Sequence, residues 1–325
     1  MKKLNAFIPY ALGSTGMYDW CGKAAKSDKT LGVIEQFMAR DPGATDWGSM
    51  GLTFPIEDGR PVHDLDGTAR VLCYQFNERI LPGSVRDEKL RDEIKRISTA
   101  EDRVLNKKEY AQIKEDVEYA LLPKAFIRRS LVPVLVFPQY LLIFTTSFKK
   151  AEAVMLSMMI LASTRKIEFE VNTIETSNSI GHFLGQMARD GESPGGDNDD
   201  DGYLFFTKDA GVFKGADKRA IRIKDRDISS CEVHDILGQP GYVVSELLMR
   251  FDDVESVEEV LSFVLTDRFV VKAIKLSDVY VGDYSADADD KHVTTWLMAK
   301  TSLLLLTQIL ACLNEEDVSA DTEEL

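Results

Sequence analysis

The acidic residues of this sequence are its best candidates for catalysing hydrolysis. A nuclease needs carboxylates that hold one or two magnesium ions beside the scissile phosphate, often with a lysine nearby. Because acidic pairs are common on any solvated helix or sheet edge, we assign no catalytic residues. The candidates are Glu93-Ile94-Lys95 on a predicted helix, Glu168 with Glu170 on a predicted strand, and Asp225 with Asp227.

The sequence motifs for metal and cofactor binding are no more specific than these acidic pairs. The run from Asp197 to Gly202 fits the first six positions of a calcium loop, but the twelfth position, normally a bidentate glutamate, is Lys208. We therefore interpret this run as a solvated acidic loop. The four histidines lack metal-binding spacing, and the sequence contains no Walker loop and no zinc ribbon. We expect no metal ion and no cofactor.

Clustered lysines and arginines are the remaining functional signal. The segment from Arg79 to Arg129 holds thirteen Lys or Arg and ten Asp or Glu, an excess of three positive charges. Such side chains can bind phosphates without reading bases, as sequence-independent contact with duplex DNA requires. A merely solvated helix face is the alternative interpretation. The predicted DNA-binding residues are Arg103, Lys107, Lys108, Lys124, Arg128, Arg129, Lys149, Lys150, Arg222, Lys224 and Arg226.

A uniformly negative surface would oppose phosphate binding, but the charges of this chain are not uniformly distributed. The 325 residues carry a net charge of −15, whereas a phosphate backbone attracts positive surface. The acidic residues cluster apart from the cations, so a positive concave surface on an acidic body is physically possible. A protein-interaction module whose acidic loops mimic DNA is the alternative. The acidic runs are Asp197 to Asp201, Asp252 to Glu259, Asp283 to Asp290 and Glu315 to Glu324.

A charged helical hairpin positions most of these cations. Pro82 and Pro123 bracket it, because proline lacks an amide donor and disfavours helix for the residue before it. Apolar residues three and four apart give each helix one narrow stripe, and the second helix is predicted to start near Lys107. The capping signatures are Ser98 with Glu101 and Asn106 with Glu109.

The remaining pattern predicts an α+β fold, with antiparallel sheets that carry helices on one face. The apolar run from Ser130 to Phe148 is long enough for a membrane span, but Pro133, Pro138 and its β-branched residues favour a buried β-hairpin. The widely spaced cysteines indicate a reducing compartment. The predicted domains are residues 1–78 with 130–171 as a first α+β unit, 79–129 as an inserted hairpin, 172–313 as a second α+β unit, and 314–325 as an acidic tail.

Local predictions complete this description. We expect a helix at Leu31 to Met38 and a strand at Lys166 to Val171. The segment from Gly43 to Gly67 is predicted to be mostly loop, with a short extended piece at Leu52 to Ile56. A helix is also predicted from Ile228 to Leu237. The apolar helix from Lys149 to Ala162 contains methionines at 155, 158 and 159, which are interpreted as core residues.

The order of four short motifs resembles the RdgC family of recombination-associated proteins. The resemblance is good from about Trp47 to Ser163 and thinner from Ala220 to Asp278. The motifs are Met50-Gly51 with Pro55, Glu78-Arg79-Ile80-Leu81-Pro82, Leu121-Leu122-Pro123-Lys124-Ala125-Phe126, and Lys149-Lys150-Ala151-Glu152.

This resemblance implies a horseshoe-shaped subunit that forms a ring homodimer, threads duplex DNA through a basic hole and limits access of a RecA-type recombinase. It implies a cytoplasmic, nucleoid-associated protein without a membrane partner. Phe126 resembles the aromatic at the ring-closing contact, with an ordinary core phenylalanine as the alternative. Asp225 stands where the family tends to carry a second lysine. The family has also been labelled an exonuclease, so a metal-dependent exonuclease is a further alternative.

Overall fold

The structure is a computed structural model, and it has an α+β architecture with a large antiparallel sheet and six α-helices in the part of the chain it describes. The described residues are 4–27, 34–55, 59–192, 203–215, 219–226, 228, 230, 235, 238, 242–253, 258–278, 280–281 and 291–314.

The elements follow the chain in this order. The strands are β1 Ala6–Leu12, β2 Gly48–Thr53, β3 Val62–Leu65, β4 Ala69–Ile80, β5 Phe126–Val136, β6 Tyr140–Ile143, β7 Val171–Asn172, β8 Tyr203–Lys214, β9 Ala220–Lys224, β10 Val243–Asp253, β11 Glu258–Thr266 and β12 Val271–Leu276. The helices are α1 Gly16–Lys26, α2 Gly83–Glu101, α3 Lys107–Leu121, α4 Phe148–Arg165, α5 Ile180–Asp190 and α6 Lys291–Asn314. Short 3-10 turns occupy Glu35–Phe37 and Leu122–Lys124.

The chain divides into two compact units. We call Met1–Gly22, Asp64–Val71 and Val134–Leu325 the body unit, and Lys23–His63 with Leu72–Pro133 the hairpin unit. The division into two α+β units, an inserted hairpin and an acidic tail predicted from the sequence is a different grouping and stays a prediction.

The body unit is organised by a sheet in the order β6-β1-β12-β11-β10-β8-β9, with β7 also paired to β1. Helices α5 and α6 contribute buried residues to the same core as this sheet, as predicted for an α+β unit. At its centre Phe205 packs against Phe251, Phe263 and Phe183, with ring centroids 5.1, 5.9 and 6.5 Å away. The predicted β-hairpin of β5 and β6 is confirmed, with Leu135 opposite Leu142.

Helix α6 is apolar and long enough over Thr295–Asn314 to span a membrane, the one helix of this kind in the described residues. Leu305, Leu306 and Ile309 are nevertheless fully buried in the core of the body unit. The core helix of a folded domain has this composition too, so the apolar composition is weak support for a membrane span.

The hairpin unit has the predicted pair of helices with a much smaller core. Leu90 of α2 packs with Ile113 and Val117 of α3. These residues lie on the predicted stripes, and the start of α3 at Lys107 is also confirmed. In this unit β2 pairs with β4 in antiparallel register, from Gly48 opposite Glu78 to Thr53 opposite Cys73.

Several local predictions are wrong. Ser98 and Glu101 do not cap a helix, because α2 continues through both and ends where Asp102 takes a left-handed conformation at φ 46°. The segment from Gly43 to Gly67 is mostly loop, as predicted, but it contains two strands, β2 and β3, rather than one short extended piece at Leu52 to Ile56. Lys166 to Val171 is not a strand: Lys166 ends α4 with φ 55°, and β7 begins only at Val171.

Other predictions are confirmed in part. Met158 is buried as predicted, but Met159 is 50% exposed and is therefore not a core residue. The helix predicted at Leu31 to Met38 is a 3-10 turn at Glu35–Phe37, and its first residues lie outside the described part. Most of the helix predicted at Ile228 to Leu237 also lies outside it.

Two cysteines are core residues, as predicted for Cys73. Burial raises the pKa of the Cys21 and Cys73 thiols to about 12, so both stay protonated at neutral pH. Cys312 in α6 is partly buried, and Cys231 lies outside the described residues.

Candidate nucleic-acid interface

The turn between α2 and α3 presents two adjacent lysines at a helix start. Asn106 caps α3: its Oδ1 accepts the amide protons of Lys108 and Glu109, each at 3.0 Å. In return the Glu109 carboxylate accepts the Asn106 amide proton at 2.8 Å. Lys107 and Lys108 are exposed beside this cap. The positive end of the helix dipole adds to their charge, which favours an anion at this position.

Arg103 belongs to the same turn but is occupied by two carboxylates. Its guanidinium lies 2.6 Å from Glu101 and 2.7 Å from Glu109. The hydrogen bonds from Arg103, followed by the Asn106 amide, lower the pKa of Glu109 to about 2. The same carboxylates raise the pKa of Arg103. Arg103 therefore holds the turn in shape and contributes little net positive charge.

The exit of the hairpin also mixes paired and unpaired cations. Arg128 lies 2.8 Å from Glu78, and Arg129 lies 3.0 Å from Asp41. Both pairs are solvent-exposed, and such pairs contribute about 0 to 1 kcal/mol, so a phosphate can replace the carboxylate at small cost. Lys124 is exposed in the Leu122–Lys124 turn and has no ion pair with any described residue.

Arg79 and Arg86, which the sequence groups as cations at the hairpin entry, have structural partners instead. Arg79 donates to the carbonyl oxygens of Leu122 at 2.6 Å, Pro42 at 3.2 Å and Gly43 at 3.4 Å. It therefore ties the end of the hairpin and a loop to β4. Arg86 pairs with Asp87 and reaches Glu118 of α3 at 3.5 Å.

Phe126 is 82% exposed, which contradicts its interpretation as a core phenylalanine. It begins β5 directly after the turn that carries Lys124. Covering so exposed an aromatic ring removes apolar surface from water, which is favourable, so the exposure of Phe126 is compatible with a contact surface. Its predicted role at a dimer interface stays a prediction.

In the body unit, two predicted cations lie at the start of α4. Ser147 caps this helix by accepting the Lys150 amide proton at 3.4 Å. Lys149 is exposed and has no ion pair with any described residue, whereas Lys150 is partly buried. Lys149 is thus the better placed of the two for binding an anion.

Strand β9 carries the clearest cationic row of the body unit. Arg222 and Lys224 are both exposed, and they alternate with Ile221 and Ile223, which pack against the core. Neither cation forms an ion pair with a described residue. Arg226 follows a bend at Asp225, where φ is 56°, and its amide donates to the Asp209 carbonyl at 3.3 Å.

An open cleft of about 400 Å³ extends from this row over the adjoining strands. Val212, Leu248 and Val264 contribute apolar surface to it. Lys272 of β12 also lines the cleft and pairs with Glu246 at 2.8 Å. Sequence reasoning missed Lys272, although its position next to buried Val271 in a predicted strand places it on the open face.

The described carboxylate candidates have other surroundings than those predicted for a catalytic site. Glu93 pairs with Arg96 at 2.6 Å on α2, and Arg96 lowers its pKa. Glu168 and Glu170 do not lie on a strand. Within the described ranges no group of three His, Cys, Asp or Glu side chains could hold a metal ion. Asp227 and the run from Asp197 to Gly202 lie outside those ranges.

Comparison with known proteins adds independent information. Residues 20–316 match the family model described as "Putative exonuclease, RdgC". The "Recombination-associated protein RdgC" of Pseudomonas entomophila is 26% identical over 280 residues, which cover 82% of this chain and 85% of that protein. The proteins of the same name from Pseudomonas fluorescens and Shewanella halifaxensis are each 27% identical, covering 83% and 79% of this chain and 84% and 79% of their own lengths.

Proposed function

Because this chain belongs to the RdgC family of recombination-associated proteins, we propose that it binds duplex DNA as a ring-shaped homodimer and limits the access of a RecA-type recombinase. In this proposal the subunit is a horseshoe, the hole of the ring is lined by cations, and no catalytic step or cofactor is involved. The protein acts in the cytoplasm on nucleoid DNA.

The observation that carries the proposal is the division of the predicted cations into paired and unpaired sets. Arg103, Arg128 and Arg129 are held by carboxylates. Six exposed cations, by contrast, have no ion pair with any described residue, and they occur in both units. These six are Lys107, Lys108, Lys124, Lys149, Arg222 and Lys224.

Phosphate binding gives these exposed cations a role on a protein whose net charge is −15. Each cation that neutralises a phosphate releases a counterion, so affinity falls with salt by about 0.9 log units per phosphate for each log unit of salt. The same contacts carry no base information, which gives little sequence preference. We propose that the cations of both units face one DNA-binding surface.

Salt-dependent duplex binding tests this proposal. Lys107→Glu with Lys108→Glu is expected to weaken binding and lower the salt slope by about two contacts, roughly 1.8 in the log–log plot. Arg222→Glu with Lys224→Glu is expected to act similarly. Matched controls with the same charge change at exposed residues are Lys89→Glu with Lys95→Glu in α2, and Arg268→Glu with Lys275→Glu in the body unit. Equal losses in variants and controls would indicate only a general charge effect.

Ring closure has its own test. Phe126→Glu is expected to weaken self-association measured by sedimentation, because it places a charge in an apolar contact. Val104→Glu is the control, since Val104 is 92% exposed in the same unit. An unchanged dimerisation constant for Phe126→Glu removes this residue from the interface.

An exonuclease is the second candidate, favoured by the description of the matching family model. Incubation of end-labelled duplex with the purified chain and magnesium or manganese tests it. Shortened products that disappear on Glu93→Gln, Glu168→Gln or Glu170→Gln would support cleavage by this chain. If the chain retards no DNA but binds a basic protein, the acidic interaction module replaces both proposals.

A further inference from the structure

We propose that the open cleft on the sheet of the body unit binds a free nucleoside diphosphate, with the base on its apolar floor and the phosphates on Arg222 and Lys224. The bound nucleotide competes with DNA for these two cations. This inference rests on the proposed function, because it names a regulator of one DNA-contact surface. The nucleotide is a competing ligand and takes part in no catalytic step.

The cleft has the size and the irregular strands of a small-molecule site. Its volume of about 400 Å³ lies within the range of roughly 300 to 1,000 Å³ that ligand pockets occupy. Beside it, β10 shifts register against β8 twice and β11 shifts against β12 once. Ala273, next to Lys272, has φ 55°, a left-handed conformation that is uncommon for residues other than glycine. Such irregularities bend strands and occur next to functional sites, so they fit a concave binding surface.

The floor of the cleft is apolar and lies on the face of the sheet opposite the core. Val212, Leu248 and Val264 line it and are partly buried. Because side chains alternate between the two faces of a strand, their neighbours in sequence lie in the core with α5 and α6. These neighbours are Phe213, Leu247 and Leu265, all fully buried. Three adjacent strands thus present an aliphatic surface that a planar base can cover, which removes apolar area from water.

Two cations at one side of the floor match the phosphates of the ligand. Arg222 and Lys224 line the cleft, are exposed and form no ion pair with a described residue. They are two residues apart in β9, a rise of about 6.7 Å, so two phosphate groups can lie between their side chains. Strand β9 is two strand spacings, or about 10 Å, from β10 with Leu248. A base joined to phosphates through a sugar spans such a separation, whereas inorganic phosphate leaves the floor uncovered.

Glu246 in the same cleft selects among bases. Its carboxylate pairs with Lys272 Nζ at 2.8 Å, and both residues line the cleft. A carboxylate has about four lone-pair sites, so Glu246 can accept a further hydrogen bond while it keeps Lys272. Adenine, cytosine and guanine carry an exocyclic amino group that donates such a bond, and thymine carries none. The cleft is therefore expected to prefer an amino-bearing base over thymine.

Isothermal titration of the full chain with deoxyadenosine diphosphate tests the site. Arg222→Glu with Lys224→Glu is expected to weaken binding by about tenfold or more, because both cations contact phosphates. Arg268→Glu with Lys275→Glu changes the charge of the same unit equally at exposed residues outside the cleft, and it should leave the affinity within about twofold. Equal losses in the two variants would overturn the assignment of the phosphates to β9.

Competition with DNA is a second measurement. Deoxyadenosine diphosphate is expected to displace labelled duplex from the wild-type chain and from Lys107→Glu with Lys108→Glu, whose β9 cations are intact. It should not displace the duplex that Arg222→Glu with Lys224→Glu still binds. Inorganic pyrophosphate at the same ionic strength is the control without a base. Equal displacement by pyrophosphate would show charge screening only and would overturn the proposal.

The base contact has its own variants. Leu248→Asn is expected to weaken nucleotide binding about fivefold by removing apolar contact, with the salt slope of duplex binding unchanged. The wild-type chain should bind deoxyadenosine diphosphate about fivefold more tightly than thymidine diphosphate. Glu246→Gln should remove this preference, because an amide also donates to the thymine carbonyls. A purely structural role of Glu246 would lower both affinities alike.

The outcomes separate this inference from the proposed function. If the chain binds duplex DNA but no nucleotide at millimolar concentration, the cleft inference is wrong and the proposed function stands. If it binds nucleotide with the expected variant effects but no duplex, the proposed function fails and the nucleotide site stands. If Leu248→Asn weakens only the binding of an oligonucleotide with an unpaired end, the cleft binds a DNA strand and the free nucleotide is excluded.

Discussion

The sheet of the body unit and the helical hairpin are stabilised in different ways. The sheet encloses a large apolar core in which Phe205 is surrounded by three other aromatic rings. The hairpin has three buried apolar residues, Leu90, Ile113 and Val117, together with a cap and several exposed ion pairs. Because exposed ion pairs contribute little, we expect the hairpin to open locally well before the sheet unfolds.

This difference also separates two uses of positive charge. In the hairpin unit the arginines are used mainly for structure: Arg79 binds carbonyl oxygens, and Arg103 bridges two glutamates. Lys107, Lys108 and Lys124 of the same unit are exposed to solvent. The sheet of the body unit also holds paired cations, such as Lys272 with Glu246, but Arg222 of β9 is exposed without an ion pair to any described residue. Residue type alone therefore does not identify a phosphate contact.

The largest effect is expected in the sheet core. Phe205→Ala removes a ring that is 2% exposed, and truncating a buried phenylalanine costs about 3 to 5 kcal/mol. Urea denaturation followed by circular dichroism should show this loss for the body unit. Val117→Ala in the hairpin is the comparison, since its neighbours form a small core that relaxes more easily. Equal losses at both positions would contradict the difference between the units.

A smaller effect is expected at the hairpin exit. Arg79→Met leaves the carbonyls of Leu122, Pro42 and Gly43 without their charged donor, and hydrogen bonds to charged groups contribute about 1.5 to 3 kcal/mol. Hydrogen exchange should accelerate around these residues. The salt slope of DNA binding should stay unchanged, because the Arg79 guanidinium is occupied by backbone carbonyl oxygens and not by phosphate. A reduced slope would make Arg79 a phosphate contact instead.

The helix cap should contribute less. Asn106→Ala removes the acceptor of the Lys108 and Glu109 amide protons, and losing such a cap costs about 1 kcal/mol. The expected result is faster hydrogen exchange at the first turn of α3 with the melting of the sheet unaffected. Asn106→Asp is the matched control, because aspartate also caps helices. If alanine and aspartate behave alike, the cap does not stabilise the turn.

The smallest effect is expected from acidification. The pKa of Glu109 in the folded protein is about 2, below its ordinary value of 4.5. Its contribution to stability is therefore complete above about pH 4.5 and is lost as pH falls toward 2. The protection factor of the Asn106 amide, which corrects exchange for the intrinsic effect of pH, should fall as pH is lowered across this window. Glu109→Gln should remove the pH dependence. A loss of protection at a pH outside this window would show that a different carboxylate is responsible.

Periodicity made much of the fold predictable. Apolar stripes predicted α3, and the Asn106 capping signature predicted its start at Lys107. Pro133, Pro138 and the β-branched residues around them predicted the pairing of β5 with β6. Capping was ambiguous: Ser98 with Glu101 has the same spacing as Asn106 with Glu109, but only the second pair lies at a helix start. A capping residue followed three positions later by a carboxylate can also occur inside a helix, so this spacing identifies a cap only where the helix start is known from other signals.

The candidate site was less predictable, because charge pairing depends on distant residues. Arg128 and Arg129 meet Glu78 and Asp41, which are 50 and 88 positions away in the sequence. Local sequence holds no sign of these contacts. The exposure of Met159 was likewise hidden, since its residue type is the same as that of its buried neighbour Met158. Only the packing of the whole unit separates the two methionines.

Strand β1 lies between β6 and β12, so Ala6 and Phe7 pair with residues 272 and 271. The ribosome thus makes the β12 residues Val271 and Lys272 as late as 264 and 266 residues after their partners Phe7 and Ala6, and closing so long a loop is slow. Until synthesis nears its end, one side of β1 presents unsatisfied amides and carbonyls that invite pairing with other chains. The nascent chain is therefore expected to depend on chaperones, and a truncation before residue 271 should aggregate rather than yield a shorter soluble product.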